Sequence, residues 1–252
     1  MDNVLVTGAA SGIGAGLAAE LARAGKHVIV SDLRLDDAKA VASSIRATGG
    51  SAEAHAMDVG SDGSVAAAMR SLSRPIDMLV NNAGLQHVAP LEEFPMDRWA
   101  LLVEVMLVGV ARLSRAVLPG MRKRGSGRII NIGSIHSLVG SPFKSAYVAA
   151  KHGLIGFSKV IALETADTDI TINTICPSYV KTPLVDRQIA EHSRIRGIPE
   201  AEVVGKIMLQ PMPKGVFIGI DELVGIALFL ASPAARNITG QTIVVDGGWT
   251  AQ

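Results

Sequence analysis

At 252 residues, with 48% hydrophobic and 19% charged residues, the chain is long and apolar enough to bury one sizeable core. Lysine plus arginine number 24 against 23 for aspartate plus glutamate, and the net charge of +1 gives no footing for nucleic acid or for an anionic membrane. The single cysteine, Cys176, rules out an internal disulfide and lacks the partners of a metal site, so no metal is expected.

The start, Met1-Asp2-Asn3, runs straight into an apolar strand without the basic opening of a signal peptide. No apolar run approaches the length that spans a bilayer. A soluble, cytoplasmic protein with no membrane partner is expected.

Val4 to Thr7 reads as a short buried strand, followed by Gly8-Ala9-Ala10-Ser11-Gly12-Ile13-Gly14 and an alanine-rich helix to about Ala24. A glycine-rich turn between strand and helix brings backbone N–H groups close to a pyrophosphate, and the helix N-terminus adds a favourable field. His27 to Ser31 is a second strand with Asp32 at its end. A carboxylate there accepts from both ribose hydroxyls of NAD and repels the extra phosphate of NADP, which makes NAD the expected cofactor. Arg34, two residues on, keeps NADP open as the alternative.

Residues 36–47 read as a helix, Ser51 to Met57 as a third strand, residues 61–73 as a helix and Ile76 to Val80 as a fourth strand. Asp58, just after the third strand, is a candidate for the adenine amino group and equally an N-cap of the next helix. Asn81-Asn82-Ala83-Gly84 forms a polar, small-residue turn beside the cofactor. Strands and helices alternating at this spacing predict a single α/β domain over 1–252, a doubly wound parallel sheet of about seven strands with helices on both faces.

Residues 96–124 read as one long helix whose apolar face suits subunit pairing, and residues 128–133 as the fifth strand. The segment from Lys144 onward reads as a helix that sets Tyr147 and Lys151 one turn apart on one face. A nearby ammonium favours the phenolate, which would lower the tyrosine pKa and make Tyr147 a proton donor and acceptor near neutral pH. Ser134 closes the preceding apolar run, where its hydroxyl can reach the same reacting oxygen. Taken alone, such a pair is more often an ordinary solvated helix face than a catalytic one.

Ile170 to Ile175 is the sixth strand, residues 221–231 a helix and Thr242 to Val245 the last strand. Between them, residues 184–220 are irregular, broken by Gly197, Pro199, Pro211, Pro213 and Gly215. A long segment after the carboxyl edge of a sheet is a candidate substrate lid.

Thr7-Gly8-x-x-x-Gly12-x-Gly14, Asn81-Asn82-Ala83-Gly84, Ser134, Tyr147-x-x-x-Lys151 and Cys176-Pro177-Ser178, in this order and over the whole chain, resemble the short-chain dehydrogenase/reductase family. The resemblance implies a Rossmann-like domain, a nicotinamide cofactor and a homotetramer. It makes Tyr147 the catalytic acid and base, Ser134 the group that polarises the substrate oxygen, and Lys151 the residue that lowers the tyrosine pKa and holds the nicotinamide ribose. Cofactor contacts are implied at Gly8, Ser11, Gly12, Ile13, Gly14, Asp32, Asp58, Val59, Asn82, Ala83, Gly84, Tyr147, Lys151, Pro177, Val180 and Thr182.

Further stretches, among them 82–90, Ser134-Ile135-His136, Lys144 to Tyr147, 183–189 and 246–251, are similar to the branch of that family that oxidises D-3-hydroxybutyrate. That likeness implies a small hydroxy or keto acid as substrate, its carboxylate bound by Gln86, His136, Lys144 and Gln188. Amide and cationic donors near the reacting carbon are what a small anionic acid requires.

Two departures stand out. Met106 occupies a place where the family usually has an asparagine that serves a proton relay from Lys151, and Tyr179 stands where the hydroxybutyrate branch commonly has tryptophan. Two other readings stay open: the same chemistry on another hydroxy acid or a neutral alcohol, and a catalytically weak NAD-binding protein, for which Met106 is the one argument.

Overall fold

The computed structural model describes residues 2–251. Seven strands form one parallel sheet: β1 (Asn3–Thr7), β2 (His27–Asp32), β3 (Ser51–Ala56), β4 (Met78–Asn81), β5 (Ser126–Ile132), β6 (Asp169–Pro177) and β7 (Thr242–Val245), in the spatial order β3-β2-β1-β4-β5-β6-β7. The helices between them are α1 (Gly12–Arg23), α2 (Leu35–Ala47), α3 (Asp62–Ser71), α4 (Met96–Val103), α5 (Gly109–Arg124), α6 (Ser145–Glu164), α7 (Pro183–Arg196), the short α8 (Glu200–Glu202) and α9 (Ile220–Ala231).

Both faces of the sheet are covered, which explains why the strands read as nearly unbroken apolar runs rather than alternating ones. Successive strand residues point to opposite faces. Val4, Val6, Val28 and Val30 therefore pack against Leu17, Leu21, Ala38, Ala42, Leu223 and Ala227 on one side. Leu5, Ile29, Leu79 and Ile129 pack against Val65, Leu113, Val117 and Met121 on the other. The chain leaves β1 for β2 on one side and returns to β4 on the other, so a crevice opens at the carboxyl ends of β1 and β4. Open parallel sheets bind ligands at such a switch point.

A buried polar ladder fixes the elements flanking that crevice. Asn81 Nδ2 donates to Asn131 Oδ1 at 2.8 Å, Asn131 Nδ2 donates to Ser158 Oγ at 2.9 Å, and Ser158 Oγ lies 2.9 Å from Thr174 Oγ1. The ladder links β4, β5, α6 and β6, and so sets the position of α6 against the sheet.

Two stretches differ from their sequence reading. The expected continuous helix over 96–124 is interrupted by a π-helical turn, Glu104–Val108, between α4 and α5. It is held from outside by Arg112, whose guanidinium donates to Glu104 Oε1 and to the Val59 carbonyl. Gly109 lets the chains approach there, since a Cβ on it would meet Val59 O at 3.0 Å. The expected irregularity of 184–220 is largely helix: α7 ends at Gly197, whose φ of 65° is left-handed, α8 follows Pro199, and a π-helical turn spans Val203–Leu209. The apolar residues looked aperiodic because they face a small core of their own, formed by Tyr179, Val185, Ile189, Val203 and Met208.

Replacing Asn131 by alanine leaves buried donors and acceptors on β4 and α6 without partners. Each such group costs about 1–3 kcal/mol, and urea unfolding is expected to show Asn131→Ala less stable by about 2–4 kcal/mol with an unchanged m-value.

Candidate active site

The crevice begins at the loop between β1 and α1. Gly8 has a φ of 61°, and a Cβ there would meet Ala83 Cα at 2.8 Å; a Cβ on Gly14 would come within 2.4 Å of both Gly8 O and Asn82 Nδ2. Glycine is required at both points because the chain after β4 crosses directly beneath the loop. Asn82 ties the two together, its Nδ2 donating to Thr7 O at 2.9 Å and Gly8 O at 3.1 Å, while Thr7 Oγ1 accepts from the N–H groups of Asn82 and Ala83. Ser11 is the N-cap residue of α1, yet its side chain makes no capping hydrogen bond. The first N–H groups of a 12-residue helix therefore face the crevice free to bind an anion.

Asp32 stands at the end of β2 on the same rim. Its Oδ2 accepts from Ala10 N at 3.1 Å and its Oδ1 from Arg34 N at 3.3 Å. Each oxygen keeps acceptor capacity for a hydroxyl. The Arg34 side chain is turned to Asp37, with Nε 2.6 Å from Oδ2. A glycine cradle, an open helix N-terminus and an anchored carboxylate on one rim fit the pyrophosphate and ribose of a nicotinamide dinucleotide.

On the opposite wall, Ser134 follows β5 and caps a short 3-10 turn, its Oγ accepting from His136 N at 3.1 Å while its own N–H donates to Ser137 Oγ. The hydroxyl proton of Ser134 is left for another acceptor. Tyr147 and Lys151 lie one turn apart on α6, as expected, and α6 itself starts at Ser145 with Lys144 as its N-cap residue. Lys151 Nζ donates to the Ile132 carbonyl at 2.6 Å and lies 5.7 Å from the centre of the Tyr147 ring.

The electrostatics correct one expectation. The Tyr147 phenol is raised above its ordinary value rather than lowered: burial is the main cause, Ser134 beside it pulls down, and Cys176 behind it pushes up. Burial also lowers the Lys151 ammonium to about 8, so desolvation governs both partners in this structure. Met106, fully buried in the π-helical turn, faces the same wall; it packs with Tyr147, and its Sδ would lie 3.6 Å from a Cβ on Gly84. Its thioether offers no donor and only a weak acceptor.

The inner end of the cleft is cationic. Lys144 is 1% exposed, and its ammonium donates to Gln188 Oε1 at 3.1 Å and lies 5.4 Å from the centre of the Tyr179 ring. No carboxylate lies within ion-pair distance of it among the described residues, and burial lowers it to about 8. His136, 4% exposed, packs edge-on against Tyr147, Tyr179 and Trp249, and Tyr179 stacks on Trp249. Neither ring nitrogen of His136 has a well-formed hydrogen bond among the described residues, and burial with the Lys144 charge lowers its pKa to about 3 against the opposing pull of the Val139 backbone. A neutral imidazole, an amide and a desolvated ammonium gathered at one point form a receptor for a small anion.

Of the residues singled out in the sequence, Ser134, Tyr147, Lys151, Gln86, His136, Lys144 and Gln188 line one continuous cleft with Gly8, Ser11, Gly12, Ile13, Asp32, Asn82, Gly84, Pro177, Val180 and Thr182. Gly14, Ala83, Asp58 and Val59 stand off it. Asp58 is exposed and its Oδ1 accepts from Gly60 N at 2.9 Å; the N-cap of α3 is Ser61, whose side chain accepts from Ser64 N. Val59 and Ala83 border a smaller hollow beneath the cofactor loop with Val105 and Gly109. Ile132, Val185 and Arg187 also line the cleft and were not singled out. His192, buried on α7 with both ring nitrogens unpartnered, was missed as well; its spacing of four from Gln188 was the available signal.

Among the described residues no group of three or more histidine, cysteine, aspartate or glutamate side chains is arranged to hold a metal ion, and no helix is long and apolar enough to cross a membrane. The C-terminal Gln252 lies outside the described residues.

Comparison with known proteins places this geometry. Residues 2–193 match the short chain dehydrogenase family. A D-beta-hydroxybutyrate dehydrogenase of Rhizobium meliloti is 42% identical over 98% of both chains, and one of Cupriavidus necator is 44% identical over 98% of this chain and 97% of its own. A gluconate 5-dehydrogenase from Burkholderia cenocepacia, solved with NADP and tartrate, superposes with a TM-score of 0.90 at 35% identity, covering 100% of this chain and 96% of that one. Fold, site geometry and relatives agree: this chain belongs to the short-chain dehydrogenase/reductase family of nicotinamide-dinucleotide oxidoreductases.

Proposed function

We propose that this enzyme interconverts D-3-hydroxybutyrate and acetoacetate with NAD. The observation that carries the reading is the buried Lys144 ammonium beside Gln188 and His136, one helical turn before Tyr147. A ligand that places a hydroxyl at Tyr147 and Ser134 and a carboxylate at Lys144 is a short hydroxy acid. The two relatives named for D-beta-hydroxybutyrate point the same way.

In this mechanism Gln86, His136, Lys144 and Gln188 hold the carboxylate, and Ser134 donates to the oxygen on the reacting carbon. Tyr147 takes the hydroxyl proton in oxidation and returns it in reduction. The loop from Gly8 to Ile13 together with Asp32 would hold the dinucleotide, Lys151 would hold its nicotinamide ribose, and the bound group would supply the hydride acceptor. Residues 184–220 form the lid, a reading supported by α7, which lends Val185, Arg187 and Gln188 to the cleft wall. The protein is read as a cytoplasmic homotetramer, with exposed Met96, Leu101 and Val108 as the apolar face for pairing; its mass in solution checks the subunit count.

Absorbance of NADH with purified protein and D-3-hydroxybutyrate tests the activity. Turnover is expected, and Tyr147→Phe should lose at least about a hundredfold; turnover no better than that of the variant would refute the reading.

The Lys144 clamp has a pH signature. The ammonium is charged below about 8 and neutral above it, so affinity for the acid is present at lower pH and is lost as pH rises. KM for the hydroxy acid should climb above pH 8, approaching about tenfold per unit. Lys144→Met should show a high KM with no such limb.

The reading of NAD over NADP is supported by Asp32, whose anchored carboxylate would oppose a 2′-phosphate, and by the pairing of Arg34, on the cleft rim, with Asp37. Asp32→Ala should lower the NAD-to-NADP ratio of kcat/KM by about a hundredfold; an unchanged ratio would assign the preference elsewhere.

A further inference from the structure

We infer that His192 is a substrate-positioning residue: borne on α7, it completes the coordination of the Lys144 ammonium and so aims the remaining N–H of that group at the anion in the cleft. The inference rests on the hydroxy-acid reading of the site and extends it to a residue outside the carboxylate set.

Lys144 and His192 both carry unmet hydrogen-bonding capacity among the described residues. Lys144 carries three donors, is 1% exposed, and uses one of them on Gln188. A buried ammonium with two N–H groups unpaired is costly unless acceptors are close at hand. His192 is 1% exposed and neither of its ring nitrogens has a partner among the described residues. The imidazole is close enough to Lys144 that the ammonium acts on it electrostatically, and it is neutral, burial and the Lys144 and Arg196 charges having lowered it to about 4. A neutral imidazole offers one acceptor nitrogen.

Placement supplies the second half. Gln188 and His192 are four apart on α7 and share one helix face. Lys144 caps α6 across from that face. The C-terminal end of α7 is tied to the same place, with the Arg196 guanidinium 5.5 Å from the centre of the Phe143 ring, and Phe143 takes a left-handed φ of 69° just before Lys144. One intervening water would give Lys144 a second acceptor on α7. With Gln188 and His192 both accepting, one N–H remains for the substrate carboxylate. Seating of α7 and readiness of the clamp then become one event, because both acceptors ride on the same helix.

His192→Leu and His192→Gln test this, with steady-state rates on D-3-hydroxybutyrate and on butan-2-ol, and with quenching of tryptophan fluorescence by butyrate in the presence of NADH. Trp249 borders the cluster and reports binding independently of turnover. Leucine is close to histidine in volume, and thermal unfolding of both variants run alongside the kinetics checks that the fold is kept. The expected result is a KM for the acid about tenfold higher, kcat changed by less than about threefold, weaker butyrate quenching and an unaltered rate on butan-2-ol. Glutamine keeps an acceptor, and His192→Gln should recover most of the loss. An unchanged KM in His192→Leu, or equal loss with glutamine and leucine on both substrates, would overturn the inference. Lys144→Met run alongside separates the two claims: if it leaves butyrate binding intact, the hydroxy-acid reading itself fails; if it abolishes binding while His192→Leu does not weaken it, only the role of His192 fails.

Discussion

Two ammonium groups, Lys144 and Lys151, are buried at the carboxyl edge of the sheet with no carboxylate in ion-pair contact among the described residues, and the site is built around that cost. Both are pulled down to about 8, chiefly by desolvation. Each has one strong protein acceptor, Gln188 Oε1 for Lys144 and the Ile132 carbonyl for Lys151. A protein interior keeps such charges only where a ligand or a network repays them. The two lysines bracket Tyr147 along α6, so their unmet capacity opens onto the cleft on either side of the phenol.

The scaffold makes those positions reproducible. The ladder from Asn81 through Asn131 and Ser158 to Thr174 fixes α6 against three strands, and Asn82 locks the cofactor loop to the end of β1. The same logic explains the raised phenol. In the free enzyme Tyr147 is shielded, with Met106 packed nearby in place of a hydrogen-bonding side chain.

Much of this was legible in the sequence because the signals were local. The strand–glycine loop–helix of residues 4–24, the carboxylate at Asp32 and the one-turn spacing of Tyr147 and Lys151 each depend on a few neighbouring residues and kept their places. What was missed depends on contacts between distant segments. The π-helical turn at Glu104–Val108 is pinned by Arg112 and the Val59 carbonyl, which no periodicity in 96–124 reveals. Residues 184–220 looked irregular because Val185, Ile189, Val203 and Met208 form a core of their own off the main sheet. His192 resembled any polar helix residue in the sequence, and the sign of the Tyr147 shift followed from burial, which outweighed the Ser134 hydrogen bond.

The central claim is that a desolvated cation selects a small acid. The most direct measurement is the ratio of kcat/KM for D-3-hydroxybutyrate to that for butan-2-ol, which shares the carbinol carbon and lacks the carboxylate, at pH 7 with saturating NAD. Charge-assisted hydrogen bonds contribute about 1.5–3 kcal/mol each, so two of them predict a preference for the acid of at least about a hundredfold. Comparable rates on the two compounds would contradict the account.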